Sequence, residues 1–268
     1  MAGHSKWSNI KHRKSAQDQK RGKIFTKLIK EITIASKIGG GDLDSNPRLR
    51  KAVNDAKSKN MPSEKIDRAI KKGTGVLDGV SYEEIFYEGY GPQGVAIILE
   101  AITDNKNRTV AEIRHAFAKF GGSLGESGSV SWMFENKGSI FLNNCSIGFE
   151  DLFDISLNAG AEDITEHDKQ FVVLTSVESM TEVKKTLKNK GCFIQSAEYI
   201  MVPKTMQKIK KSESEMVLNL LHSLENNEDV SKLFSNLEIG KFILVPLGKK
   251  NISGCVIEKD LRDLDGLD

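Results

Sequence analysis

The 268-residue chain has little cysteine, little proline and no long apolar run. Its three cysteines, Cys145, Cys192 and Cys255, stand far apart and form no C-x-x-C pair. Such a sparse, odd count predicts reduced thiols in a cytosolic setting rather than a disulfide framework. The longest apolar stretch, VAIIL at Val95–Leu99, is far too short to span a bilayer. The polar, charged N-terminus lacks the apolar core of a signal peptide. The expectation is a cytoplasmic protein with no membrane partner. The five histidines, at 4, 12, 115, 167 and 222, show no H-x-x-x-H spacing and no cysteine at metal-ligand distance. No metal and no cofactor is expected.

Two near-matches to catalytic motifs fail on context. GYGPQG at Gly89–Gly94 satisfies G-x-G-x-x-G, but a dinucleotide loop must open a helix, and here the strand-like VAIILEAI follows. A hairpin turn is predicted instead. GGSLG at Gly121–Gly125 puts Ser123 in the slot of a nucleophile elbow, yet it has a helix before and a strand after, the reverse of what that elbow needs. A glycine C-cap and loop is predicted. KKGTG at Lys71–Gly75 lacks the spacing and ending of a phosphate loop. With 37 carboxylates, closeness of acids along the chain says nothing about acid–base chemistry. No enzyme is expected.

What the sequence does have is segregated charge. Residues 1–72 carry 19 Lys and Arg against seven Asp and Glu, a net +12; the other 196 residues carry 20 against 30, a net −10. A basic N-terminal unit joined to an acidic remainder predicts a polyanionic partner at one end. From Gln17 to Ile38 the pattern is helical. Ile24, Phe25, Leu28, Ile29, Ile32 and Ala35 share one face, and Lys20, Lys23, Lys27, Lys30 and Lys37 the opposite one. The segment before it, Gly3–Lys14, has no apolar stripe and is expected to order only on its target. A second helix follows Asn46 and Pro47, a capping residue and a first-turn proline, and buries Leu49, Ala52, Val53 and Ala56. A third runs from about Pro62 to Gly73.

Beyond residue 75 the texture changes to mixed strands and helices. A strand pair, a helix over RTVAEIRHAFAKFGG and a strand over SVSWMFE come first. GSIFLN then begins a β-α-β-β-α-β series over roughly 135–205, with helices at Phe149–Asn158 and MTEVKKTLKNKG, the pattern of a ferredoxin-like split β-α-β unit. SESEMVLNLLHSLENNEDVSKLFSNLEI supplies a further helix and strand. The predicted fold is α+β and multidomain. A three-helix domain (1–75) precedes a discontinuous α/β domain (80–134 plus 206–239), into which a ferredoxin-like domain (135–205) is inserted. Residues 240–268 stand apart, with KFILVPLG and SGCVIEKD as a hairpin around KKN.

The stretches MAGHSKWSNIKHRKSAQDQKRGKIFTKLIKEI, NMPSEKIDRAIKKGTG, YEGYGPQGVAIILEAITDNKNRT and GGSLGESGSVSWMF closely resemble the YebC family of probable transcriptional regulators, whose relatives include mitochondrial translational activators of cytochrome oxidase. The resemblance covers about residues 1–239; the tail 240–268 departs from the short polar ending of the family. It implies a helical domain followed by two α/β domains, one inserted in the other, and a nucleic-acid partner that is DNA in some members and the ribosome in others. The basic domain points the same way, since a net charge of this size is relieved by phosphates. Lys6, Lys11, Arg13, Lys14, Lys20, Arg21, Lys23, Lys27 and Lys30 are the expected phosphate contacts, with Trp7 and His12 stacking on a base or sugar. The leading expectation is a DNA-binding transcriptional regulator. The runner-up is a translation factor on ribosomal RNA or tRNA, with the acidic domains facing proteins or positioning the first domain. The third is an α/β ligand-sensing or protein-interaction module.

Overall fold

The computed structural model of the protein describes residues 3–145, 147–167, 170–239 and 242–243; side chains are described from residue 21 onward, except at 144, 167, 211, 242 and 243. The chain opens with helices α1 (Gly3–Gly39), α2 (Pro47–Ser58) and α3 (Ser63–Gly73). α1 begins at Gly3 rather than near Gln17. Between Ser5 and Arg21 there is no glycine or proline to stop a helix, so the predicted unstructured leader is part of it. Asn46 caps α2 by accepting from Leu49 N at 3.0 Å, and its amide donates to Ala35 O at 2.9 Å, which ties the cap to α1. Leu28, Ile32 and Ala35 pack on Leu49, Val53, Ala56, Ile66 and Ala69 to form the core of this bundle. α3 ends where it touches α1: a Cβ on Gly73 would lie 2.3 Å from Thr33 O, so only glycine fits.

The first α/β unit contains β1 (Glu83–Tyr90), β2 (Ala96–Thr103), α4 (Lys106–Lys119) and the two-residue β3 (Ser123–Leu124). GYGPQG is the turn between antiparallel β1 and β2, and GGSLG is the end of α4 leading into β3. Only the last two residues of SVSWMFE, Phe134 and Glu135, are strand, and they begin the long strand that follows. Glu88 accepts the N–H groups of Gly128, Val130 and Ser131, each at 2.8 Å, and wraps that stretch into a turn that ends in the short 3-10 segment Ser131–Met133.

A long strand β4 (Phe134–Asn144) then enters a second sheet with α5 (Phe149–Asn158), β5 (Ala161–His167), β6 (Gln170–Thr175), α6 (Met180–Asn189) and β7 (Phe193–Pro203). Its strand order, β5-β6-β4-β7, all antiparallel, is that of the split β-α-β fold. Cys145 and Cys192 form a disulfide beside its core, contrary to the expected reduced thiols. Their separation of 47 positions hides the fact that one follows β4 and the other precedes its neighbour β7. Cys255 lies outside the described residues.

After β8 (Gln207–Ile209) and α7 (Ser214–Glu225), β9 (Val230–Ser235) returns to the first sheet and completes the order β3-β1-β2-β9. α4 and α7 cover one face of that sheet through Phe117, Val217, Leu220 and Leu224. Its other face packs partly on the ferredoxin-like unit through Ile98, Phe134, Ile200 and Phe234. β10 (Leu237–Ile239) pairs with β8, which the sequence did not signal, and with β11 (Phe242–Ile243). The rest of the predicted terminal hairpin lies outside the described residues.

Charge docks the bundle on this scaffold. Lys30, 6% exposed, forms an ion pair with the equally buried Asp229 and donates to Glu228 O at 3.2 Å. Asp229 also accepts from Thr109 Oγ1 at 2.6 Å and Arg108 Nη2 at 3.1 Å. Burial would raise the Asp229 pKa, but the bonds from Lys30 and Thr109 outweigh it and hold the carboxyl below its ordinary value. On the bundle's α2 side, Arg48 donates to Glu31 at 2.7 Å and to Glu84 of β1 at 2.6 Å. Glu100 of β2 lies 3.8 Å from the same guanidinium and 2.7 Å from Lys232. Lys51 reaches Glu198 of β7 at 3.1 Å.

Asp229→Ala should cost about 3–5 kcal/mol in urea unfolding, because it leaves the buried Lys30 ammonium without its partner. Combining Lys30→Met with Asp229→Leu should recover part of that loss; a double variant no better than Asp229→Ala would show that the charge is not the cause. For Glu88, burial raises the carboxyl and the three backbone N–H groups lower it further, so its folded pKa lies below the unfolded one. The stability it contributes is full above the unfolded value and is lost as pH falls through the folded one. Glu88→Gln should therefore destabilise by about 1.5–3 kcal/mol near neutrality, and its difference from wild type should shrink below about pH 4. Reducing Cys145–Cys192, or replacing Cys192 with serine, should lower stability by about 2–4 kcal/mol; an unchanged urea midpoint under reductant would count against the pairing.

Candidate nucleic-acid interface

Three contacts set the directions of the basic helices. The Lys65 ammonium sits 5.7 Å from the Phe25 ring centroid, Thr33 Oγ1 lies 3.4 Å from Ala69 O, and Gly73 meets Thr33 and Ser36. α3 thus runs alongside α1 in the same direction. The bond from Asn46 to Ala35 O places the start of α2 near the end of α1, so α2 runs the opposite way. The bundle therefore has two distinct ends. At one end lie Lys37, Arg48 and Lys51, and all three are engaged: Lys37 donates to Tyr82 O at 2.9 Å, and the other two pair with carboxylates. At the other end lie Arg21, Lys57, Lys59 and Lys65, all exposed. None of these four makes an ion pair with a described residue.

The free end carries an aromatic group as well. Phe25 is half-buried, with the Arg21 guanidinium 5.1 Å from its ring centroid and Lys65 on it too. Cations placed over a ring in this way are held by its quadrupole. Arg68, one turn beyond Lys65 on α3, is also exposed and unpaired among the described residues.

The predicted site residues fall into three groups. Lys6, Trp7, Lys11, His12, Arg13, Lys14 and Lys20 lie on the backbone of α1, and their side chains are outside the described residues. Arg21 and Lys23 are exposed. Lys27 and Lys30 are not presented on a solvated face as expected. Lys27 donates to Glu225 O at 2.6 Å, and burial, opposed by the Glu225 charge, brings its ammonium down to about 8. Lys30 is buried against Asp229. Both have docking partners from α7 and the loop after it, about 200 residues away in sequence, which no local pattern reveals. Phe25 and Lys65 were the opposite case: their residue types were visible, as a core aromatic and a surface cation, but their meeting was not.

Among the described residues no group of three or more His, Cys, Asp or Glu side chains is placed to hold a metal ion, and no helix is long and apolar enough to cross a membrane.

Comparison with known proteins covers almost all of this architecture. Residues 5–76 match the family model described as "TACO1/YebC protein N-terminal domain", and residues 82–237 match "TACO1/YebC second and third domain". The chain is 56% identical over 239 residues to a "Probable transcriptional regulatory protein" of Syntrophotalea carbinolica, covering 89% of this chain and 96% of that one. It is 54% identical over 239 residues to a protein of the same description from Geobacter sulfurreducens, with the same coverage. Among solved structures, a conserved hypothetical protein from Aquifex aeolicus superposes with a TM-score of 0.75 at 43% identity, covering 85% of this chain and 94% of its own. With both of its parts matched and such relatives spanning nearly their whole length, the chain belongs to the TACO1/YebC family.

Proposed function

We propose that the chain is a DNA-binding transcriptional regulator that grips the phosphate backbone through its basic N-terminal helical domain and carries out no catalysis. The observation that carries this reading is a set of exposed cations, Arg21, Lys57, Lys59, Lys65 and Arg68, that make no ion pair with a described residue, whereas Arg48 and Lys51 are taken up by the chain's own carboxylates. Unrelieved positive charge held on a folded surface favours a polyanion, whose condensed counterions are released on binding. The phosphate contacts come from Lys6, Lys11, Arg13, Lys14, Lys20, Arg21 and Lys23 of α1, joined by Lys57, Lys59, Lys65 and Arg68. Trp7 and His12 supply stacking or groove contacts. Lys27 and Lys30 take no part, because they dock the domain. The names of the relatives at 54% and 56% identity support a regulatory role.

A second reading, a translation factor on ribosomal RNA or tRNA, is favoured by one feature: the half-exposed Phe25 ring, flanked by two cations, suits an unpaired base better than a closed duplex. In-cell crosslinking followed by sequencing of the bound nucleic acid separates the two. Promoter DNA is the expected product of the first, and ribosomal RNA or tRNA would replace it with the second. Charge reversal at Lys11, Arg13, Lys14 and Lys23 together should abolish binding and leave thermal unfolding nearly unchanged. For the wild type, affinity should fall steeply with added salt; a flat response between low and moderate salt would rule out phosphate contacts.

A further inference from the structure

Where α1 passes α4 and α7, an open cleft of about 290 Å3 lies between the helical bundle and the first α/β unit. Three of its lining side chains are basic in type, Lys23 from α1 and His115 and Lys119 from α4, and all three are exposed. Ile113 and Leu224 lie beneath it as part of the buried core. The acid that lines it, Glu112, accepts from Asn227 at 2.7 Å rather than pairing with a cation. Lys23 belongs to a row on α1 whose next two members, Lys27 and Lys30, are progressively buried and bonded to the chain. An exposed lysine of that row thus lines the cleft, and a second ammonium from another domain lines it too. Its volume is at the lower limit of small-ligand sites. That suits one nucleotide and not a duplex. The combination of cations for a phosphate and an exposed imidazole to stack on a base suits a nucleotide.

We infer that this cleft receives a single unpaired nucleotide of the strand held by the basic helices, with its phosphate at Lys23 and Lys119 and its ring against the His115 imidazole. This rests on the nucleic-acid reading above and deepens it, since it makes the α/β unit part of the binding surface and gives the protein a preference for strand ends, bulges or splayed bases.

The test uses the full chain and fluorescence anisotropy, with a blunt duplex and the same duplex carrying a three-nucleotide overhang, each made as DNA and as RNA. The overhang is expected to tighten binding about tenfold, the effect of one stacked base. Lys119→Glu should remove that gain and lower the salt slope on the overhang probe by about 0.7, while affinity for the blunt duplex changes little. His115→Ala should lose part of the gain. Lys184→Glu, a charge change of the same size on exposed α6, should retain it. If the blunt duplex binds and the overhang adds nothing, or if Lys119→Glu keeps the gain, the cleft assignment is overturned and the basic-helix reading stands. If the wild type binds none of the four probes, both fall. Which of the DNA and RNA overhangs shows the larger gain identifies the strand the cleft takes.

Discussion

Lys30 reaches out of the helical bundle into a small polar chamber whose other members, Asp229, Arg108, Thr109 and Thr103, all belong to the first α/β unit. The chamber is closed by the backbone too, because Ile102 N donates to Asp229 O at 2.7 Å and Asp229 N donates to Asn227 Oδ1 at 2.8 Å. A charge pair removed from water gains little net stability over an apolar pair of the same size, but its geometry admits few alternatives. The pair therefore acts less as glue than as a locating pin. Placed near the middle of the contact between α1 and the sheet, it fixes where the bundle sits, and the Arg48 and Lys51 contacts then settle its orientation.

This arrangement gives the segregated charge of the sequence two purposes. The acidic surplus of the α/β units is not simply a solvated surface: Glu84, Glu100 and Glu198 take up cations of the bundle and leave a defined remainder. Glu100 shows how tightly these charges are coupled. It is buried, and burial raises its pKa against the pull of Lys232, while Glu84 beside it is lowered by Arg48. Arg21, Lys57, Lys59 and Lys65 are among the cations that make no ion pair with a described residue, and the basic face is defined as much by the position of the carboxylates as by the lysines.

The elements were legible where a single period dominates. α5 begins and ends at the predicted Phe149 and Asn158, and the strand order of the second sheet follows the β-α-β-β-α-β reading. The apolar stripe of α1 from Ile24 to Ala35 does form the bundle core. What was not legible depends on partners remote in sequence. SVSWM, the first part of SVSWMFE, has strand-forming residues, but Glu88, more than 40 positions earlier, binds the amides of Val130 and Ser131 and folds it into a turn. Lys27 and Lys30 fall on the same helical face as Lys23, and nothing within a helical period distinguishes a lysine that meets Asp229 from one that meets water. Cys145 and Cys192 look unrelated until β4 and β7 are paired.

The continuity of α1 has a mechanical consequence. One helix carries both the docking lysine at position 30 and the basic segment that starts near its beginning, with no proline between them and a single glycine, Gly22. At 1.5 Å per residue the distance from Lys30 to the first turn is roughly 40 Å. A tilt of only about 5° at the pin would sweep the tip of such a rod through roughly 3.5 Å, more than the length of a hydrogen bond. Where the first turns of α1 stand relative to the α/β units is therefore set far from them, by how little play a buried carboxylate allows an ammonium group.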